Sequence, residues 1–311
     1  MAEPSEYLRE IEPLEAQQLR RPLAIVGFGG WIDAGFAATG AVRYLVDHLA
    51  ANRVAELDPE PYYAFTDTRP RVSHPAPGRR EPVWPKVEWY AVRMPEDSPR
   101  DLVLFTAPEP NLRWRGFTTL ALDVFQRLGT DTLVSFGAVL APVHHRANPP
   151  LRGWATTDNL RSLLRRRKIG SGRYEGPTGI TTVLLAAARD RGMPAFSLST
   201  SSPSYLTDMP NPRASAALLR TAGEIGTVHF PLSDLDAEGL VVSERIDQFL
   251  AERPELKEAV DRLPYTEPAP STSYEASEPP AELPSSAAVL QDLEDFLRNL
   301  RRENGGASSD N

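Results

Sequence analysis

The chain contains no cysteine in its 311 residues. That excludes disulfides, thiolate metal sites and a cysteine nucleophile, and it fits a reducing compartment. Excess positive charge is also missing. Thirty-four basic residues face 42 acidic ones, for a net charge of −8. Bulk binding to nucleic acid or to an anionic membrane is disfavoured on that balance. The apolar stretch Leu133 to Val143 falls far short of the roughly 20 residues a bilayer requires. The opening residues, MAEPSEYLREIEPLEAQ, have neither a basic n-region nor an apolar h-region, so no secretory signal is expected there. A soluble, cytoplasmic protein is the expectation.

Apolar residues make up 41% of the chain and charged residues 24%, enough for a sizeable core. Thirty prolines are unevenly spread. They gather at Arg69 to Pro85 and Pro142 to Pro150, both read as surface loops, and at Pro264 to Ser286. The last stretch holds four glutamates and no basic residue, the composition of a flexible acidic linker. Beyond it, Leu290, Leu293, Leu297 and Leu300, with Phe296 beside them, form a two-heptad stripe. A helix that short needs a docking surface: its own domain, another copy or a partner. The resulting division is an N-terminal extension (1–21), a core domain (22–263), the linker (264–286), an amphipathic helix (287–303) and a disordered tail (304–311).

Within the core, strand and helix patterns alternate. Leu23–Val26, Pro61–Phe65, Val87–Val92, Leu102–Phe105, Asp131–Phe136 and Ala195–Leu198 read as strands. Asp33–Ala51, Phe117–Leu128, Asp158–Lys168, Thr178–Arg191, Pro212–Ile225, Leu232–Leu250 and Pro254–Leu263 read as helices. This alternation implies an α/β fold, a mostly parallel sheet with helices on both faces.

Two glycine turns carry the sharpest local signals. GFGGWIDAG, with Gly27, Gly29, Gly30, Trp31 and Asp33, lies between a strand and a helix, where free N–H groups can cradle an anion. Ile32 stands where the dinucleotide fingerprint requires glycine, and no Gly-Lys-Ser/Thr triplet follows. A tight turn capped by Asp33 is the alternative. GPTGI, with Gly176, Thr178 and Gly179, opens a second helix, with Thr178 a candidate cap. If both turns lie at the carboxyl edge of the sheet, they could face one crevice. Asn111, Arg113 and Trp114 suit either an anion patch or an oligomer contact. His144 and Arg146 sit in a proline-bounded loop with no metal-ligand spacing around them, and there is no Gly-x-Ser-x-Gly elbow. The run Arg165 to Lys168 fits a helix C-terminus, where cations suit the dipole. No metal and no cofactor are expected.

Taken together, these motifs resemble the proteasome assembly chaperone 2 family in its actinobacterial form. Ile25 to Gly35 is similar to the family's "GF-G-W-DAG" loop. Pro110 to Trp114 is similar to its "P-x-x-x-W" element, and Gly176 to Ile180 matches "GPTGI". His144 and Arg146 fall on "PHTR", with Val143 and His145 replacing Pro and Thr. Pro203 to Leu206 matches "PHYL", with Tyr205 retained and Ser204 in place of His. Pro210, Asn211 and Pro212 match "PNP". The resemblance implies a three-layer fold akin to phosphorylases and peptidyl hydrolases, homo-oligomers, and a non-catalytic chaperone role with proteasome subunits as partners. Such chaperones often end in a hydrophobic-Tyr-any tripeptide. Ser309-Asp310-Asn311 departs from it, so ring docking through the terminus is not expected. An enzyme or small-molecule binder remains the rival reading, taking a nucleoside, phosphate or carboxylate between the two glycine turns. A third reading is a self-assembly protein with Trp and Arg contacts.

Overall fold

Strands whose apolar residues run almost unbroken bury both faces of a sheet when helices cover each side, and the central strands follow that rule. In the computed structural model, which describes residues 4–76, 78–171 and 174–265, the strands are β1 (Leu8–Glu10), β2 (Leu23–Gly29), β3 (Asn52–Leu57), β4 (Arg71–Ala76), β5 (Arg79–Val83), β6 (Glu88–Val92), β7 (Leu102–Pro108), β8 (Thr132–Ala141), β9 (Arg152–Ala155) and β10 (Ala195–Pro203). The helices are α1 (Ala37–His48), α2 (Trp114–Arg127), α3 (Asp158–Arg166), α4 (Ile180–Asp190), α5 (Pro212–Gly226), α6 (Ser233–Ala251) and α7 (Pro254–Asp261).

Eight strands form one sheet in the order β1-β3-β6-β7-β2-β8-β10-β9. The centre, β7-β2-β8-β10, is parallel. β6 and β9 flank it antiparallel, and β3 and β1 continue that side. On β2, Leu23 and Ile25 point into a core with α1, α3 and α5, whereas Ala24, Val26 and Phe28 point into a core with α2 and α4. The three-layer architecture therefore agrees with the sequence. α6 and α7 add a satellite cluster around Leu206, Ile246 and Phe249.

Local departures have physical causes. The first helix begins at Ala37 rather than Asp33, because Gly35 (φ 63°) and Phe36 (φ 50°) are left-handed. Pro61–Phe65 is a turn and not a strand: the Tyr62 and Tyr63 N–H groups donate to Pro59 O, and these rings are buried by packing rather than by pairing. β3 and β9 are strands that the sequence reading left out; both mix exposed and buried positions. The stretch read as a proline loop contains the β4–β5 ribbon, turned at Gly78 (φ 77°). The segment set apart as an extension supplies the edge strand β1 and buries Leu14. Leu290, Leu293, Phe296, Leu297 and Leu300, with nearly all of the linker, lie outside the described residues. No helix among the described residues is long and apolar enough to cross a membrane.

Candidate functional site

The carboxyl ends of the parallel strands gather the residues of interest. β2 runs into the first glycine turn, where Asp33 is buried. Its Oδ1 accepts the N–H groups of Ala38 (2.8 Å) and Thr39 (3.1 Å), and its Oδ2 accepts the Thr39 hydroxyl at 2.5 Å. Burial pushes the Asp33 carboxyl up, against the pull of these donors. The first turn of α1 is thus filled by the chain's own carboxylate.

The second glycine turn meets the same fate. Glu109, just after β7, places Oε1 2.7 Å from the Ile180 N–H at the start of α4. Its own N–H donates to Gly29 O at 2.6 Å. A Cβ on Gly179 would sit 3.0 Å from Glu109 Oε1 and 3.4 Å from Ile32 Cδ1. The two turns therefore do meet at one edge, but Glu109 and Ile32 close the space between them. The anion cradle that the sequence suggests at the first turn is taken, and the second helix start is filled as well. Thr178 does not cap α4: Gly179 holds the cap position, and the Thr178 hydroxyl bonds Thr182 Oγ1 at 2.6 Å.

An open groove of about 840 Å³ lies beside the first turn rather than between the two. Gly29, Gly30, Trp31, Phe36, Thr39 and Leu140 contribute to its walls, and the charged Arg43, Arg71, Lys86 and Glu88 line it as well. Trp31 is 61% exposed there, and Phe36 and Leu140 are exposed with it. None of residues 176–180 lines the groove, and neither do Asn111, Arg113, His144 or Arg146.

A third cluster builds on the loop after β8. His145 is buried; its Nδ1 lies 2.9 Å from the Tyr205 hydroxyl and its Nε2 2.9 Å from Asp247 Oδ1 on α6. The Tyr205 oxygen also accepts the His145 backbone N–H at 2.9 Å. That leaves the Tyr205 O–H to donate to Nδ1, so Nε2 carries the ring proton and donates to Asp247. Burial pushes the imidazole down to about 4, although Asp247 pulls the other way. Arg146 closes the set, Nε to Asp247 Oδ2 at 2.7 Å, and holds that carboxyl low. His144 stacks between His145 and Tyr265, at 4.3 and 4.4 Å between ring centres. Among the described residues no group of three or more His, Asp or Glu side chains could hold a metal ion.

The sequence comparison assigns residues 27–250 to the PAC2 family model. The chain belongs to the PAC2 family. A PAC2 family protein from Streptomyces avermitilis shares 36% identity, with 77% of this chain and 99% of that one covered and a TM-score of 0.69. A Mycobacterium tuberculosis protein described as a proteasome-assembly chaperone homologue shares 37%, with 76% and 99% covered and a TM-score of 0.69. At 22% identity, an archaeal proteasome activator from Pyrococcus furiosus shares the fold, with 78% and 97% covered and a TM-score of 0.61. None of the curated proteins matches the chain.

In this PAC2 chain most of the motif residues have structural partners. Asn111 Oδ1 accepts the Ala64 N–H (3.0 Å) and the Thr68 hydroxyl (3.1 Å), pinning the turn after β3. Arg113 is left-handed at the start of α2 (φ 53°), and the Trp114 indole N–H donates to Pro110 O. Asn211 caps α5 through Ala214 N (3.1 Å) and donates to Ser202 Oγ (3.2 Å). Gly27 is closed against α1, where a Cβ would sit 2.6 Å from Ala38 O. Gly176 lies beside the Tyr174 ring. Sequence reasoning missed Glu109, which follows directly on β7 without a motif of its own, and Asp247, which lies 102 positions from His145. His145 had one available signal: it stands at a position where the family pattern carries threonine.

Proposed function

We propose that this PAC2 chain is a non-catalytic, homo-oligomeric, chaperone-like protein that engages proteasome subunits in the cytoplasm. One observation carries the reading. At the sheet edge where α/β folds usually bind small ligands, both glycine-turn helix starts are filled by Asp33 and Glu109. What the edge offers outward is apolar: Trp31, Phe36 and Leu140 around an open groove. Exposed aromatic and aliphatic side chains ringed by charge suit a protein segment better than a metabolite. The proteasome enters through the Mycobacterium relative, described as a proteasome-assembly chaperone homologue. A cysteine-free, acidic chain is in keeping with a cytoplasmic location.

The test is native mass spectrometry of the purified chain mixed with purified proteasome α and β subunits of its host. Complexes of defined stoichiometry are expected, weakened at least tenfold in Trp31→Ser/Leu140→Ser. Absence of any complex overturns the reading. The groove's size lies in the range of ligand pockets, which favours a small-molecule binder as the second reading. A bound mass that persists on the chain in the same spectra selects it.

A further inference from the structure

α6 has two apolar sides. Leu235, Ile246, Phe249 and Leu250 face inward and are buried, and the helix packs on α5 and α7. A second stripe runs along its outer side. Ala237, Leu240, Val241, Glu244 and Gln248 recur there at helical spacing. All five are exposed, Leu240 at 55% and Val241 at 44%. A surface helix with an apolar inner side has no need of apolar residues on its outer one, and a cluster of them marks a contact.

The chain carries a stripe of the same period. Leu290, Leu293, Leu297 and Leu300, outside the described residues, recur three and four positions apart, and so short a stripe needs a surface to hold it. Charge fixes the direction in which the two would lie. The first half of α6 holds Asp234, Asp236 and Glu238 with no basic residue, and the second half holds Glu244 beside the helix's one arginine, Arg245. The C-terminal stripe is flanked by Asp292, Glu294 and Asp295 in its first half and by Arg298, Arg301 and Arg302 in its second. Laid antiparallel, with Leu297 against Leu240, the three arginines fall beside the three carboxylates of α6, and Asp292 falls beside Arg245. Laid parallel, three carboxylates meet three carboxylates, which disfavours that seat.

The course of the chain agrees with the antiparallel seat. Tyr265, the last described residue, stacks on His144 at 4.4 Å. The neighbouring His145 is bonded to Asp247, in the second half of α6. The chain therefore leaves beside the end of α6 at which an antiparallel segment would begin. Residues 266–286 can span up to about 70 Å, and α6, at 19 residues, is about 28 Å long. The stripe can reach the whole outer side.

We propose that residues 287–303 dock antiparallel on the outer side of α6 of their own chain. The tether keeps the segment at high effective concentration, so an internal seat is filled ahead of any equal seat on another copy. Leu240 and Val241 are then covered, and the arginines of the segment offset the carboxylates of α6.

The native chain has no cysteine, so an introduced pair reports the seat directly. Full-length Leu240→Cys/Leu297→Cys is oxidised and read by mass and on a non-reducing gel. An internal disulfide at monomer mass is expected, forming at least tenfold faster than in Leu240→Cys/Leu290→Cys. A covalent dimer would place the segment on a second copy and overturns the assignment. Equal rates in the two pairs, or a faster Leu290 pair, overturn the seat and its direction. Charge gives the second measurement. Arg298→Glu/Arg301→Glu, in a segment outside the folded core, should slow closure of the Leu240–Leu297 pair at least fivefold, and adding Asp234→Arg/Glu238→Arg should restore it. A rate that ignores both sets of changes overturns the charge pairing and with it the antiparallel seat. Neither measurement bears on binding to proteasome subunits.

Discussion

The Glu109 carboxylate crosses from the end of β7 to the start of α4 and accepts the Ile180 N–H at 2.7 Å, over 71 positions of sequence. A helix start buried against a sheet needs a partner for its first donors, and here the partner is tertiary rather than local. Glu109→Ala removes it. The expected cost is about 1–2 kcal/mol, the size of a lost helix cap, read as a lower urea midpoint at unchanged slope. Glu109→Gln keeps an acceptor at the same reach and should recover more than half.

Asp33 makes the same arrangement at α1, with three donors on one carboxylate. Asp33→Ala leaves the Ala38 and Thr39 N–H groups and the Thr39 hydroxyl unpaired in a buried site, which costs about 1–3 kcal/mol for a lost buried acceptor. Asp33→Asn keeps one oxygen for the N–H groups, and the Thr39 hydroxyl can turn to accept from the amide. It also removes a charge that burial disfavours. Thermal melts at pH 7 should therefore rank native above Asn and Asn above Ala.

Gly35 tests the turn between those partners. Its φ of 63° is left-handed, and a Cβ there would lie 2.6 Å from Ser202 Oγ and 2.9 Å from Asn211 Cβ. Its carbonyl also accepts the Asn211 N–H at 2.7 Å. Gly35→Ala combines a left-handed penalty of about 1–2 kcal/mol with overpacking of about 1–3 kcal/mol. Gly129, equally left-handed at φ 73° but with open space around it, is the control. Gly129→Ala should cost only the backbone part, and equal losses at the two sites would refute the packing argument.

The sequence showed the layers because they rest on local periodicity. The alternation Leu23, Ile25 against Ala24, Val26 separates two cores, and helix spacing marks α2, α4 and α5. It did not show β3 or β9, whose mixed exposure weakens that period. The glycine turns are readable as turns, and Asp33 as the carboxylate that serves the first of them. What filled α4 was not readable, because Glu109 acts through a contact that only the β7-to-α4 packing creates. Tyr62 and Tyr63 misled for a related reason: buried aromatics signal a core, and here the core is built from a turn.

The His145 cluster predicts how the fold responds to acid. Burial holds the ring at about 4, below its ordinary 6.5. Between those values the unfolded chain takes up a proton that the folded chain refuses, so stability falls as pH is lowered through that window. It is fully retained above about 6.5. The slope reaches at most about 1.4 kcal/mol per pH unit for this one group. Protonating Nδ1 would also displace the Tyr205 O–H that donates to it. Urea midpoints at pH 7, 6 and 5 measure the slope. His145→Gln should flatten it by roughly that one-proton amount. Tyr205→Phe should lower stability at pH 7, by about 1 kcal/mol for a lost buried hydroxyl, and make the pH slope shallower by removing the donor that keeps Nδ1 unprotonated. A slope unchanged in both variants would assign the acid response to other groups.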